Sequence, residues 1–140
     1  MGVHNLTRRA AALVALLILG GCNQAAKTGG GGADKFAGLD GEILKWRSEI
    51  IAGDPLCKSQ AEGQKCDSFE VACKAERTVT PDDQTKGTTA RVVTAMTWNG
   101  FDAKFQHAQS GSRIAEFVKS GSGWTRGEHA PVNMGTCADL

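Results

Sequence analysis

Apolar residues recur along the chain with two different periods. Ile43, Trp46 and Ile50 stand at i, i+3 and i+7, with Leu44 and Ile51 beside them and Lys45, Arg47, Ser48 and Glu49 on the other faces. That spacing predicts a helix over about 41–52. Asp40 has N-cap chemistry, Glu42 suits the positive end of the dipole, and Leu39 with Leu44 has staple spacing. Gly53 and Pro55 supply the stop. From residue 68 the period drops to two. Phe69, Val71, Cys73, Ala75 and Arg77 alternate with Glu70, Ala72, Lys74, Glu76 and Thr78, which predicts a half-buried strand over 68–79.

Residues 80–83 (Thr-Pro-Asp-Asp) read as a turn. Residues 88–98 are rich in β-branched side chains and predict a second strand, with Asn99-Gly100 as the turn that ends it. Residues 101–105 start a possible third strand, and the polar stretch 106–112 interrupts it. Residues 113–119 and 124–128 flank Ser-Gly-Ser-Gly and predict a hairpin. The tail, 130–140, is irregular. The expected fold class is α+β: one N-terminal helix packed on an antiparallel β-meander of four or five strands, stapled by disulfides. The arrangement is similar in shape to cystatin-like or nuclear-transport-factor-like architectures, and no motif ties the chain to either.

Upstream of this domain, taken as 34–140, the pattern changes again. Arg8 and Arg9 precede an uncharged apolar run, 10–21, which at 12 residues is shorter than the 20 or so that a bilayer span needs. It fits the apolar core of an export signal. The run ends in Leu19-Gly20-Gly21-Cys22. An aliphatic residue, two small residues and a cysteine resemble the bacterial lipoprotein signal, position by position. The resemblance covers only residues 1–22. It implies cleavage before Cys22, a diacylglycerol thioether on Cys22, and acylation of the new amino terminus. The expected organisation is a signal peptide over 1–21, a lipidated Cys22 with a glycine-rich linker to residue 33, and one small domain. A linker of that composition spans roughly 17–20 Å on average. The resemblance further implies a lipid-anchored place in the bacterial cell envelope, and Asn23 points to the outer membrane, facing the periplasm. Thr7-Arg8-Arg9 is similar to a twin-arginine export signal.

Composition narrows the function without naming it. The chain carries 16 Lys+Arg against 15 Asp+Glu. Loss of residues 1–21 removes Arg8 and Arg9 and no acid, leaving 14 against 15. Such a balance does not point to nucleic acid, whose ligands are basic on one face. Cys57, Cys66, Cys73 and Cys137 form an even set in a short exported chain, which is the signature of two disulfides. Three pairings are possible, and the simplest is Cys57–Cys66 with Cys73–Cys137. Zinc is the rival, but the cysteines lack knuckle spacing. Neither C-x-x-C nor C-x-x-C-H occurs, so no cofactor or metal is expected.

Catalytic candidates are sparse. His107 and His129 remain after signal removal, and His107 could meet Asp102 with Ser110 or Ser112, although no G-x-S-x-G elbow surrounds either serine. Glu70 with Glu76, and Asp82 with Asp83, are possible carboxylate pairs. Trp98 and Trp124 are candidates to line a ligand cleft. The expected function is therefore a non-enzymatic binding or assembly module, held to the membrane through the lipid on Cys22, with an unidentified protein partner or small ligand. The alternatives are a small-ligand-binding domain with a cleft near Trp98 or Trp124, and an enzyme whose dispersed site uses His107 or His129.

Overall fold

The computed structural model describes residues 34–59 and 61–140. Cys22 and its flanking signal and linker lie outside them. The described chain is α+β: one main helix, a four-stranded antiparallel sheet and two disulfides. Helix α1 is Leu39–Gly53. Strands β1 (Asp67–Arg77), β2 (Thr88–Asp102), β3 (His107–Ser120) and β4 (Gly123–Glu128) pair in sequence order. A short helix, α2 (Pro81–Thr85), joins β1 to β2.

The apolar stripe of α1 covers one face of the sheet. Leu39, Ile43, Trp46 and Ile50 are buried against Val92, Met96, Ala115 and Phe117. Trp46 meets Phe117 edge-on, with ring centroids 5.9 Å apart, a favoured aromatic geometry. Gly38 in the left-handed region caps the helix start, so Asp40 is not the N-cap. Asp40 sits instead in the first turn and pairs with Lys74 at 3.3 Å. At the far end Asp54 caps the helix, and its carboxylate also accepts from Leu56 N as Pro55–Cys57 makes a 3-10 turn.

The opposite face of the sheet is also covered. Val93 and Ala95 of β2 pack with Cys73, Val132 and Cys137 in a second core. The covering element is the tail, which Cys73–Cys137 ties to β1. Arg77 adds a hydrogen bond to the Cys137 carbonyl at 2.6 Å and an ion pair with Asp139 at 2.7 Å. The tail closes on itself through a bridge between Val132 and Asp139. Cys57–Cys66 staples the loop between α1 and β1.

Three further local expectations are corrected. Period two would put Phe69, Val71 and Cys73 on one face, but β1 shifts register between Val71 and Cys73. Val71 therefore pairs with Met96 on the helix side, while Cys73 pairs with Ala95 on the tail side. A bulge of this kind turns every later side chain over. Asn99-Gly100 is not a turn: β2 runs through it to Asp102. Gly100 is needed for close approach, because an added Cβ would lie 2.6 Å from Leu56 Cβ and 2.9 Å from its carbonyl oxygen. The real turn follows Asp102, whose side chain accepts from the N–H groups of Lys104 and Phe105. Residues 80–83 are not a simple turn either. Thr80 and Asp83 form a reciprocal capping box that starts α2.

Because the tail has no regular structure of its own, its docking depends on the covalent tie. Loop-entropy arguments give about 4 kcal/mol for a cross-link closing some 65 residues. The double variant Cys73→Ala, Cys137→Ala should melt well below the parent in a thermal circular-dichroism scan. An unchanged melting temperature would show that the tail docks without it.

Candidate functional site

Where β4 stops, the sheet loses a layer. β4 ends at Glu128, opposite Ala115, whereas β3 continues back to His107. The chain then leaves the sheet plane: His129 N–H donates to the Ile114 carbonyl at 3.3 Å, and the tail departs for the other face. On the helix side this leaves a cleft of about 410 Å³ between the second half of α1 and the β3–β4 edge. Trp46 and Ile50 form its floor with Ala115, and Glu49, Arg113, Arg126, Glu128 and His129 form its rim.

The rim is organised by ion pairs from α1 to the sheet. Arg113 of β3 donates to the buried Asp54 at 3.1 Å, and Arg126 of β4 donates to Glu49. The Arg126 guanidinium also lies 6.0 Å from the Trp46 ring centroid, at the outer limit of a cation–π contact. The hydrogen bond from Arg126 holds the Glu49 carboxyl below its ordinary value. His129 has Nδ1 at 2.8 Å from the Ala130 carbonyl, which places the proton on Nδ1, and Nε2 at 3.9 Å from Asp139. A guanidinium has five N–H donors. Arg113 and Arg126 each direct one at its carboxylate partner, so the rim has N–H groups in surplus. Carboxylates and other planar oxyanions suit such a surface.

The residues singled out from the sequence are dispersed. Trp98 is buried in the core, stacked on Phe69 at 5.7 Å and lying over Gly111. Trp124 donates from its indole N–H to the Ala37 carbonyl at 2.9 Å and tethers the approach to α1. Neither lines the cleft; Trp46 does. His107 begins β3 on the exposed β2–β3 turn, and His129 lies beside Ile114. At ~3.3 Å per strand residue the two histidines are roughly 20 Å apart.

Asp102 and His107 pair across the turn, but Asp102 Oδ1 accepts from the backbone N–H groups of Lys104 and Phe105 and not from His107. Alternation along β3 sends Ser110 and Ser112 to the face opposite His107. The serine–histidine–aspartate combination is thus not assembled. Glu76 pairs with Lys35 at 2.6 Å. Asp83 is held below its ordinary value first by the Thr80 hydrogen bonds and then by Arg91. Among the described residues, no group of three His, Cys, Asp or Glu side chains is placed to hold a metal ion.

Sequence reasoning missed Glu49, Asp54, Arg113 and Arg126. Glu49 read only as a polar face of the helix, and Asp54, Arg113 and Arg126 drew no reading of their own. Only the point at which β4 stops brings Glu49, Arg113 and Arg126 around one cleft, with Asp54 behind Arg113. Comparison with known protein families, curated proteins and solved structures finds no match for the chain.

The Glu49 shift has a definite sign. A carboxyl lowered in the folded state from 4.5 stabilises the fold above that value and loses the effect as pH falls through the folded value. Glu49→Gln should therefore lower the urea midpoint near pH 7 and lose its effect in strong acid. A difference that persists unchanged at low pH would rule out the charged pair as its source.

Proposed function

We propose that this chain is a bacterial envelope lipoprotein, anchored through lipid on Cys22, whose domain acts as a non-enzymatic binding or assembly module. The observation that carries the address is the cysteine inventory. Of five cysteines, the two disulfides use Cys57, Cys66, Cys73 and Cys137. Cys22 is left with no intrachain cysteine to pair with, and it stands where the lipoprotein signal has its acylated residue. Two disulfides in a chain of this size also fit an oxidising compartment outside the cytosol. Each buried CH₂ of an acyl chain adds about 0.8 kcal/mol, so one chain holds weakly and several hold firmly. Among the described residues no helix is long and apolar enough to cross a membrane. In this reading the lipid provides the attachment and the 23–33 linker provides the reach. Asn23 favours the outer membrane, with the domain in the periplasm.

A second reading is favoured by the surplus N–H groups of the Arg113–Arg126 rim. It makes the domain a receptor for a small carboxylate-bearing ligand. An enzyme using His129 in the same cleft belongs to this second reading, because His129 is the candidate histidine on the rim.

Cys22→Ser tests the address directly. Expressed in a bacterial host, the parent should incorporate labelled palmitate and sediment with membranes, and the variant should do neither. A variant that stays with the membrane fraction would refute lipid anchoring through Cys22.

A further inference from the structure

The charges around the cleft at the β3–β4 edge do not balance. On the sheet side, Arg126 and Glu128 of β4 share a face two residues apart, about 7 Å along the strand. Arg113 of β3 stands two residues before Ala115, the partner of Glu128, so it is the diagonal neighbour of Glu128 at roughly 7–8 Å. Glu128 thus lies between two guanidiniums. Each guanidinium is drawn toward the helix layer by a carboxylate of its own, Arg126 by Glu49 and Arg113 by Asp54. Among the described residues these are the ion pairs of the cleft, and Glu128 has none. Three carboxylates therefore meet two guanidiniums.

The open groups are of both signs. Arg113 and Arg126 each donate to the partner carboxylate through Nη2, which leaves Nε and Nη1 for a ligand. The two arginine side chains are 45% and 32% exposed, so these donors are within reach of solvent. The Glu128 carboxylate accepts on two oxygens and donates nothing. Beneath both signs of charge lie Trp46, Ile50 and Ala115, which are buried and apolar.

A ligand with a carboxylate alone would answer the guanidiniums but bring a further negative charge beside Glu128. A ligand with an ammonium alone would answer Glu128 but leave the open N–H groups without an acceptor. A molecule that carries both charges matches the rim on both counts. We infer that the ligand of this cleft is a small zwitterion, an α-amino acid or a short peptide with an apolar side chain.

Glu128 takes the ammonium, and the open N–H groups of Arg113 or Arg126 take the carboxylate. The apolar side chain lies against Trp46, Ile50 and Ala115. A cleft of about 410 Å³ is of the size that holds small molecules, and it admits a dipeptide as well as a single amino acid. The two share the same chemistry and differ in how far apart they hold their charges. This assignment rests on the cleft being a carboxylate receptor, and it adds the amine and the residue that selects it.

The test is calorimetric titration of the purified full-length chain with L-leucine and with L-leucyl-L-leucine, each also in its N-acetyl and its C-terminal amide form. At least one free form should bind. Its N-acetyl form should bind at least about tenfold more weakly, the scale of one charge-assisted hydrogen bond. The tighter of the two free forms tells amino acid from peptide. An N-acetyl form that binds as tightly as the free one would overturn the zwitterion and leave the carboxylate receptor standing. An amide that binds as tightly as the free form would overturn the carboxylate receptor itself, and absence of binding by every form would overturn both. Glu128→Gln should weaken the free form by the same factor, with an unchanged melting curve in circular dichroism. Unchanged affinity in that variant would remove Glu128 from the site.

Discussion

The fold depends on β2 being covered on both faces. α1 packs on Val92, Met96 and Trp98, and the tail packs on Val93 and Ala95. Thr94 and Ala90 are fully buried between them. A helix forms its own backbone hydrogen bonds and needs only an apolar stripe to dock. The tail is a tight loop built on Asn133, which accepts from the N–H groups of Gly135, Thr136 and Cys137 and donates to the Ala138 carbonyl, and the Cys73–Cys137 bond and the Arg77 contacts fix that loop to the sheet. A domain this small has little spare core, and the second layer turns a half-buried sheet into a buried one.

That constraint explains why some of the fold was legible and some was not. The α1 stripe was readable because a helix with one buried face writes its period into its own sequence. Residues 88–98 were readable as a strand, but their near-continuous apolar run is the signature of burial on both faces. Its second cover, residues 130–140, has no period and was read only as an irregular tail carrying Cys137. The bulge in β1 was hidden because alternation on either side of it looks regular. Its consequence is that Cys73 faces the tail while Phe69 faces the helix. Asn99-Gly100 misled for a different reason. Glycine there serves the close approach of Leu56, and the turn function passes to Asp102, four residues after Trp98.

The first half of β3 was illegible for the opposite reason. Residues 107–112 carry no large apolar side chain: on one face Trp98 lies over Gly111, on the other the side chains are exposed, and such a strand has no hydrophobic period to read. The same lack of cover opens the edge and the cleft. Both begin where the chain turns at His129 to carry Cys137 to its partner.

The tie that completes the core therefore also creates the available surface. Had the tail continued β4 along β3, it would have paired with residues 107–112 and left Val93 and Ala95 bare. By crossing behind the sheet it buries the apolar residues and leaves the polar edge open. An open edge with small uncharged side chains costs little in water, whereas bare valine and alanine would each lose about 25 cal/mol for every Å² left exposed. The route of the tail follows from that difference. The bare end of β3 and the cleft beside it are the physical by-product of closing the second core.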